Sequence, residues 1–163
     1  MKNKVCLLLF LLLAGCYSKE PVRTAHKGEP IPAFPLFLAD SSTYFNTSSL
    51  PAGKPVVFFY FGPRCPYSRA QMEGIIDDME KFKEVEWVIF TTSPFHEMKW
   101  FYKNYKLDTY PNVITGVDYT NFFIKYFEPP GVPYLAIYGP DKRLKAAFDG
   151  QTPVRQLRSI AIN

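Results

Sequence analysis

The sequence is poor in cysteine: three in 163 residues, at positions 6, 16 and 65. Only one of them lies beyond residue 16, so a disulfide framework inside the body of the chain is excluded. Charge of one sign is also scarce. Nineteen basic residues face 15 acidic ones, for a formal charge of +4. Setting aside Lys2 and Lys4, which precede an apolar run, leaves 17 against 15, or +2. That balance argues against a nucleic-acid partner. The longest apolar run near the start, Val5 to Leu13, is too short to span a bilayer, which takes about 20 residues. Internal repeats and low-complexity segments are absent. His26 stands alone in a polar stretch, and His96-Glu97 lacks the second histidine of a zinc-protease motif, Trp100 standing in its place. No metal site and no cofactor is expected.

Apolar residues and rings are plentiful, at 47% and 17%, with 15 Phe and 11 Tyr. A chain of this length and composition makes one packed domain. Its organising stretch is Lys54 to Met72. Val56 to Phe61 is an unbroken apolar run, the pattern of a strand buried on both faces. Gly62 and Pro63 break it, Cys65 follows, and helical period begins at Pro66, a residue suited to a first helical turn. A cysteine at a strand-to-helix turn sits where unpaired N–H groups and the helix dipole favour thiolate over thiol. Arg64 and Arg69 add positive charge. The pattern predicts a reactive sulfur.

Other elements follow in order. From Ile31 to Leu38 prolines alternate with apolar residues, Asp40-Ser41-Ser42 makes a turn, and Met72 to Phe82 continue a helix. Glu86 to Thr92 reads as a buried strand, followed by a helix capped by Ser93 and opened by Pro94. Asn112 to Val117 is read as a short edge strand and Tyr119 to Phe127 as a short helix. Tyr134 to Tyr138 and Leu144 to Phe148 are two strands about a Gly139-Pro-Asp141 turn. Thr152 and Pro153 are read as the start of a last helix.

Cys65-Pro66-Tyr67-Ser68 at the end of Val-Val-Phe-Phe-Tyr-Phe resembles the active-site segment of the thioredoxin superfamily, whose pattern is Cys-x-x-Cys. Gly131-Val132-Pro133-Tyr134 resembles its cis-proline loop, and the fuller stretch is similar to the membrane-anchored redoxin (TlpA-type) branch. The resemblance covers roughly Pro32 to Ile162. It implies an α/β fold: a thioredoxin-like three-layer sandwich with a central mixed sheet flanked by helices and an N-terminal hairpin extension. It implies catalytic roles for Cys65, Ser68, Arg64 and Pro66, and partner binding at Tyr67, Val132 and Pro133. Two departures matter. The second cysteine is Ser68, and the buried acid of many thioredoxins falls on Phe59. A serine hydroxyl cannot resolve a mixed disulfide. Ser68 is expected to donate a hydrogen bond to the sulfur instead.

Leu13-Ala14-Gly15-Cys16 resembles the bacterial lipobox. It implies a signal peptide over 1–15, lipid on Cys16, a polar tether over 16–30 and the domain over 31–163. The site would then be extracytoplasmic and held to a bacterial membrane. Two function classes follow. One is thiol–disulfide exchange through a single cysteine, with thiol- or disulfide-bearing proteins or small thiols as partners. The other is a redox-inactive binding module that holds an extended segment in the groove at Cys65, Tyr67 and Val132-Pro133. A thiol peroxidase is disfavoured, because Phe58 and Gly62 stand where peroxiredoxins carry proline and a hydroxyl.

Overall fold

The computed structural model describes residues 18–162. Its centre is the apolar run read from the sequence. Strand β3 (Val56–Tyr60) is buried along its whole length. It pairs in parallel with β4 (Glu86–Thr91) and antiparallel with β6 (Tyr134–Tyr138). Beyond them lie β5 (Val113–Val117), the hairpin β1 (Pro35–Leu38) and β2 (Tyr44–Asn46), and on the other flank β7 (Leu144–Asp149). The order across the seven-stranded mixed sheet is β2-β1-β5-β4-β3-β6-β7. The edge assignment for Asn112 to Val117 is corrected. β5 lies inside the sheet because β1 covers its outer side, Phe37 opposite Val117 and Leu38 opposite Gly116.

The two faces of β3 carry two cores, as a period of two requires. Val57 and Phe59 face helices α1 (Pro66–Asp77), α2 (Phe95–Asn104) and α4 (Val154–Ile162), through Met72, Ile75, Met98, Phe101 and Leu157. Val56, Phe58 and Tyr60 face Phe34, Leu36 and the short helix α3 (Phe122–Phe127). Rings dominate both sides. Phe61 stacks on Phe101 at 4.0 Å, and Phe123 meets Phe90 edge-on at 4.9 Å. Each such pair adds roughly 0.5–1.5 kcal/mol beyond its area.

The starts of α2, α3 and α4 differ by a residue or more from the sequence reading. Pro94 and Pro153 precede their helices and supply the first acceptors, to Met98 N–H (3.2 Å) and Leu157 N–H (3.1 Å). Ser93 and Thr152 therefore do not cap: the Thr152 hydroxyl turns back and donates to Gly150 O at 3.1 Å. α3 is only six residues long and starts after the position predicted. An isolated turn of that length is unstable. Buried Asp118 holds it, accepting from Phe123 N–H (2.8 Å) and from the Thr120 hydroxyl (2.7 Å).

The free polar tether expected over 16–30 is corrected for its described part. Residues 19–31 form a strap along the outer edge of β7. Val22 N–H donates to Ala147 O (2.8 Å), Gly28 N–H to Leu144 O (2.9 Å), Leu144 N–H to Glu29 O (2.9 Å) and Ile31 N–H to Lys142 O (2.9 Å). His26, read as solvated, stacks on Tyr126 at 3.9 Å and sits 2.8 Å from Glu29 Oε2 and 2.8 Å from Tyr126 O. Both the strap and β7 had unmet backbone groups, and pairing satisfies them. The signal peptide expected over 1–15 and the lipid expected on Cys16 fall outside the described residues.

Candidate functional site

The turn from β3 to α1 is short and closed by its own backbone. Cys65 N–H donates to Gly62 O at 3.0 Å, and Arg69 N–H donates to Cys65 O at 3.1 Å as the first helical bond. Cys65 is thus the N-cap of α1, and Pro66 occupies a first-turn position where no N–H is needed. The thiol makes no capping bond. It is partly exposed and donates to the Val132 carbonyl at 3.4 Å. The N–H groups of Tyr67 and Ser68 precede any intrahelical acceptor, so they and the α1 dipole face the region of the sulfur.

The second wall is the loop before β6. The Val132–Pro133 peptide is cis. Pro133 O accepts from Gly150 N–H at 2.7 Å, which ties this loop to the end of β7. Behind it Tyr134 is buried, and desolvation, with the nearby Asp149 carboxylate, pushes its phenol up to about 12. The close approach of the two walls depends on Gly62. A Cβ there would stand 2.9 Å from Val132 Cγ2 and 3.2 Å from Cys65 Cβ. In the sequence Gly62 reads as a strand breaker and as the place where a peroxiredoxin hydroxyl would stand, not as a contact of Val132. Its contact partner lies in a distant loop, so nothing local marked it.

The remaining residues are arranged differently from the sequence expectation. Ser68 is fully buried, and its hydroxyl oxygen accepts from Gly62 N–H at 3.2 Å. It braces the turn where a bond to the sulfur was expected. Arg64 reaches away to pair with Glu97 at 2.8 Å, and Arg69 donates to Pro63 O at 2.9 Å with its guanidinium 4.9 Å above the Trp100 ring. Phe59 sits in the core beside Phe61, so no carboxylate lies beneath the site there. Tyr67 is exposed at the helix start.

Two concavities flank the turn. One of about 420 Å³ is lined by Pro63, Arg64, Arg69, His96, Glu97 and Trp100. The other, of about 520 Å³, lies between α1 and the β7–α4 corner, from Tyr67 and Gln71 to Gly150 and Thr152. Gln71, buried on α1, accepts from Thr152 N–H at 2.6 Å and fixes that corner. A glutamine on the helix face beneath the site was the available sequence signal for it.

No model of a known protein family matches the chain, and no curated protein matches it in sequence. Solved structures do match in three dimensions. A secreted Mycobacterium tuberculosis disulfide oxidoreductase, described as homologous to E. coli DsbE, is 21% identical with a TM-score of 0.65, covering 78% of this chain and 93% of that one. M. tuberculosis dsbF is 20% identical with a TM-score of 0.66, covering 78% and 94%. Peroxidoxin BcpB from the same organism is 16% identical with a TM-score of 0.66, covering 85% and 98%. At these identities the likeness establishes the fold: a thioredoxin-like α/β sandwich.

Proposed function

We propose that this protein is an extracytoplasmic, lipid-anchored thioredoxin-fold protein that exchanges thiols and disulfides through the single sulfur of Cys65. One observation carries the reading. Cys65 is the N-cap residue of α1, and its partly exposed thiol lies 3.4 Å from the carbonyl of Val132, beside the cis Val132–Pro133 bond. In the reaction, the Cys65 proton leaves to solvent and the thiolate attacks one sulfur of a partner's disulfide. A Cys65–partner S–S bond forms, the partner's own S–S bond breaks, and its second sulfur departs as thiolate. An external thiolate then attacks the mixed disulfide, taking the partner and restoring Cys65. Ionisation removes the hydrogen bond to Val132, whose carbonyl becomes free to pair with a partner's backbone N–H. Tyr67 offers an exposed ring beside the incoming segment.

Three of the observations favour the second reading, a binding module without redox chemistry. Ser68 is turned from the sulfur, Arg64 is occupied by Glu97, and Phe59 leaves no proton carrier below. The two readings separate in one experiment. The mature domain is incubated with glutathione disulfide and with a disulfide-bonded peptide, then analysed by intact mass. Exchange predicts an adduct on Cys65, released by added thiol and absent in Cys65→Ser. No adduct under conditions where free cysteine reacts would overturn it and leave the binding module.

A further inference from the structure

The strap fixes where the chain enters the domain, and that point is at the Cys65 end. Lys19 is clasped on both sides of its backbone by Gln156: its N–H donates to Gln156 Oε1 at 2.7 Å and its carbonyl accepts from Gln156 Nε2 at 2.6 Å. Its ammonium donates to the carbonyls of Asp149 and, at 3.2 Å, Gln151. Asp149 is paired with Tyr134 across β7 and β6, directly after Pro133. Gly150, whose N–H holds Pro133 O, would place a Cβ 3.1 Å from Lys19 Nζ. From there the strap runs antiparallel to β7, past Val22 at Ala147 to Ile31 at Lys142, at the far end of the sheet.

We propose that Cys65 works at the bilayer surface, on a partner that is itself held in the membrane and presents its sulfur near the lipid headgroups. The inference rests on lipidation at Cys16 as part of the proposed function. Three peptide units separate position 16 from Lys19, a reach of at most about 11 Å. A domain of this size is roughly 35–40 Å across. The leash is a fraction of that width, so the anchored corner, with the Val132–Pro133 loop and Cys65 beside it, stays close to the lipid. A free tether over 16–30 would instead reach about 45–50 Å and let the site sample soluble partners at any height. Docking of residues 19–31 on β7 removes that freedom.

The test uses the full chain expressed with its own leader, purified with its anchor and reconstituted into vesicles containing a headgroup-labelled energy-transfer acceptor. Intact mass first shows whether Cys16 carries lipid. A donor dye is placed on Cys65, or on Asp141→Cys in a Cys65→Ser background, Asp141 lying in the turn at the opposite end of β6 and β7. The expected result is at least twofold higher transfer at position 65 than at 141. A Gly/Ser insert of about 20 residues between Ser18 and Lys19 should abolish that difference. Lipidated protein with equal transfer from both positions, or with a difference that the insert leaves unchanged, overturns the surface placement while the anchor stands. A mature chain without lipid on Cys16 overturns the anchor and the placement with it.

Discussion

Gly62→Ala tests how the two walls of the site are held. The added methyl would stand 2.9 Å from Val132 Cγ2 and 3.2 Å from Cys65 Cβ, nearer than ordinary contact. Valine is β-branched and cannot swing a distal carbon aside, so the loop or the turn must move. Gly62 also holds Cys65 N–H through its carbonyl and the Ser68 hydroxyl through its N–H, which limits relief on the turn side. Overpacking of this kind costs roughly 1–3 kcal/mol. For a chain of this length that is a fall in Tm of about 2–12 °C. The displaced part should be Val132, opening the sulfur, so alkylation of Cys65 by iodoacetamide should quicken. Val132→Ala removes the clashing carbon, and in the double variant part of the lost Tm should return, with a coupling of at least about 0.5 kcal/mol. Thermal melts and alkylation rates on the four proteins complete the cycle. Strictly additive effects, or a Gly62→Ala variant with unchanged Tm and rate, would refute the close-approach argument.

Asp118→Ala strips α3 of its buried cap and leaves Phe123 N–H without its acceptor, a loss of about 2–4 kcal/mol by urea denaturation; Asp118→Asn, which retains one carbonyl oxygen, should lose less. Stability should also decline at alkaline pH. The Tyr134 phenol is raised to about 12, so its contribution is whole below its unfolded value near 10 and is lost as pH climbs from about 10 to 12. Tyr134→Phe should flatten that decline in pH-dependent melts, and an unchanged slope would remove Tyr134 from the account.

Much of the architecture was legible because it is written locally. A six-residue apolar run rich in β-branched and aromatic residues and ended by Gly62-Pro63 reads as a strand covered on both faces, and five of its residues form β3. Pro66 after Cys65 suits a first helical turn, and α1 begins there. Helix starts at Pro94 and Pro153 slipped because proline suits both the first turn and the residue before it, and local pattern does not choose between them. Ser68 was misplaced for a different reason. Helical spacing set it one turn from Cys65, but whether its hydroxyl met a sulfur or the Gly62 amide depended on how tightly the turn closed.

The sequence by itself determined the central strand, the cysteine at its helix junction, and the presence of Ser68 three residues after Cys65 and of Phe59 six before it. These are properties of residue type and short-range spacing. Only the tertiary structure decided that Val132 closes on the thiol, that β5 is interior, and that residues 19–31 are strapped to β7. Those contacts join segments as far apart as Lys19 and Gln156, 137 residues along the chain. A polar, aperiodic stretch carries no sign of its partner. Its backbone groups find one only once folding has left the edge of β7 unpaired and set Tyr126 where His26 can stack.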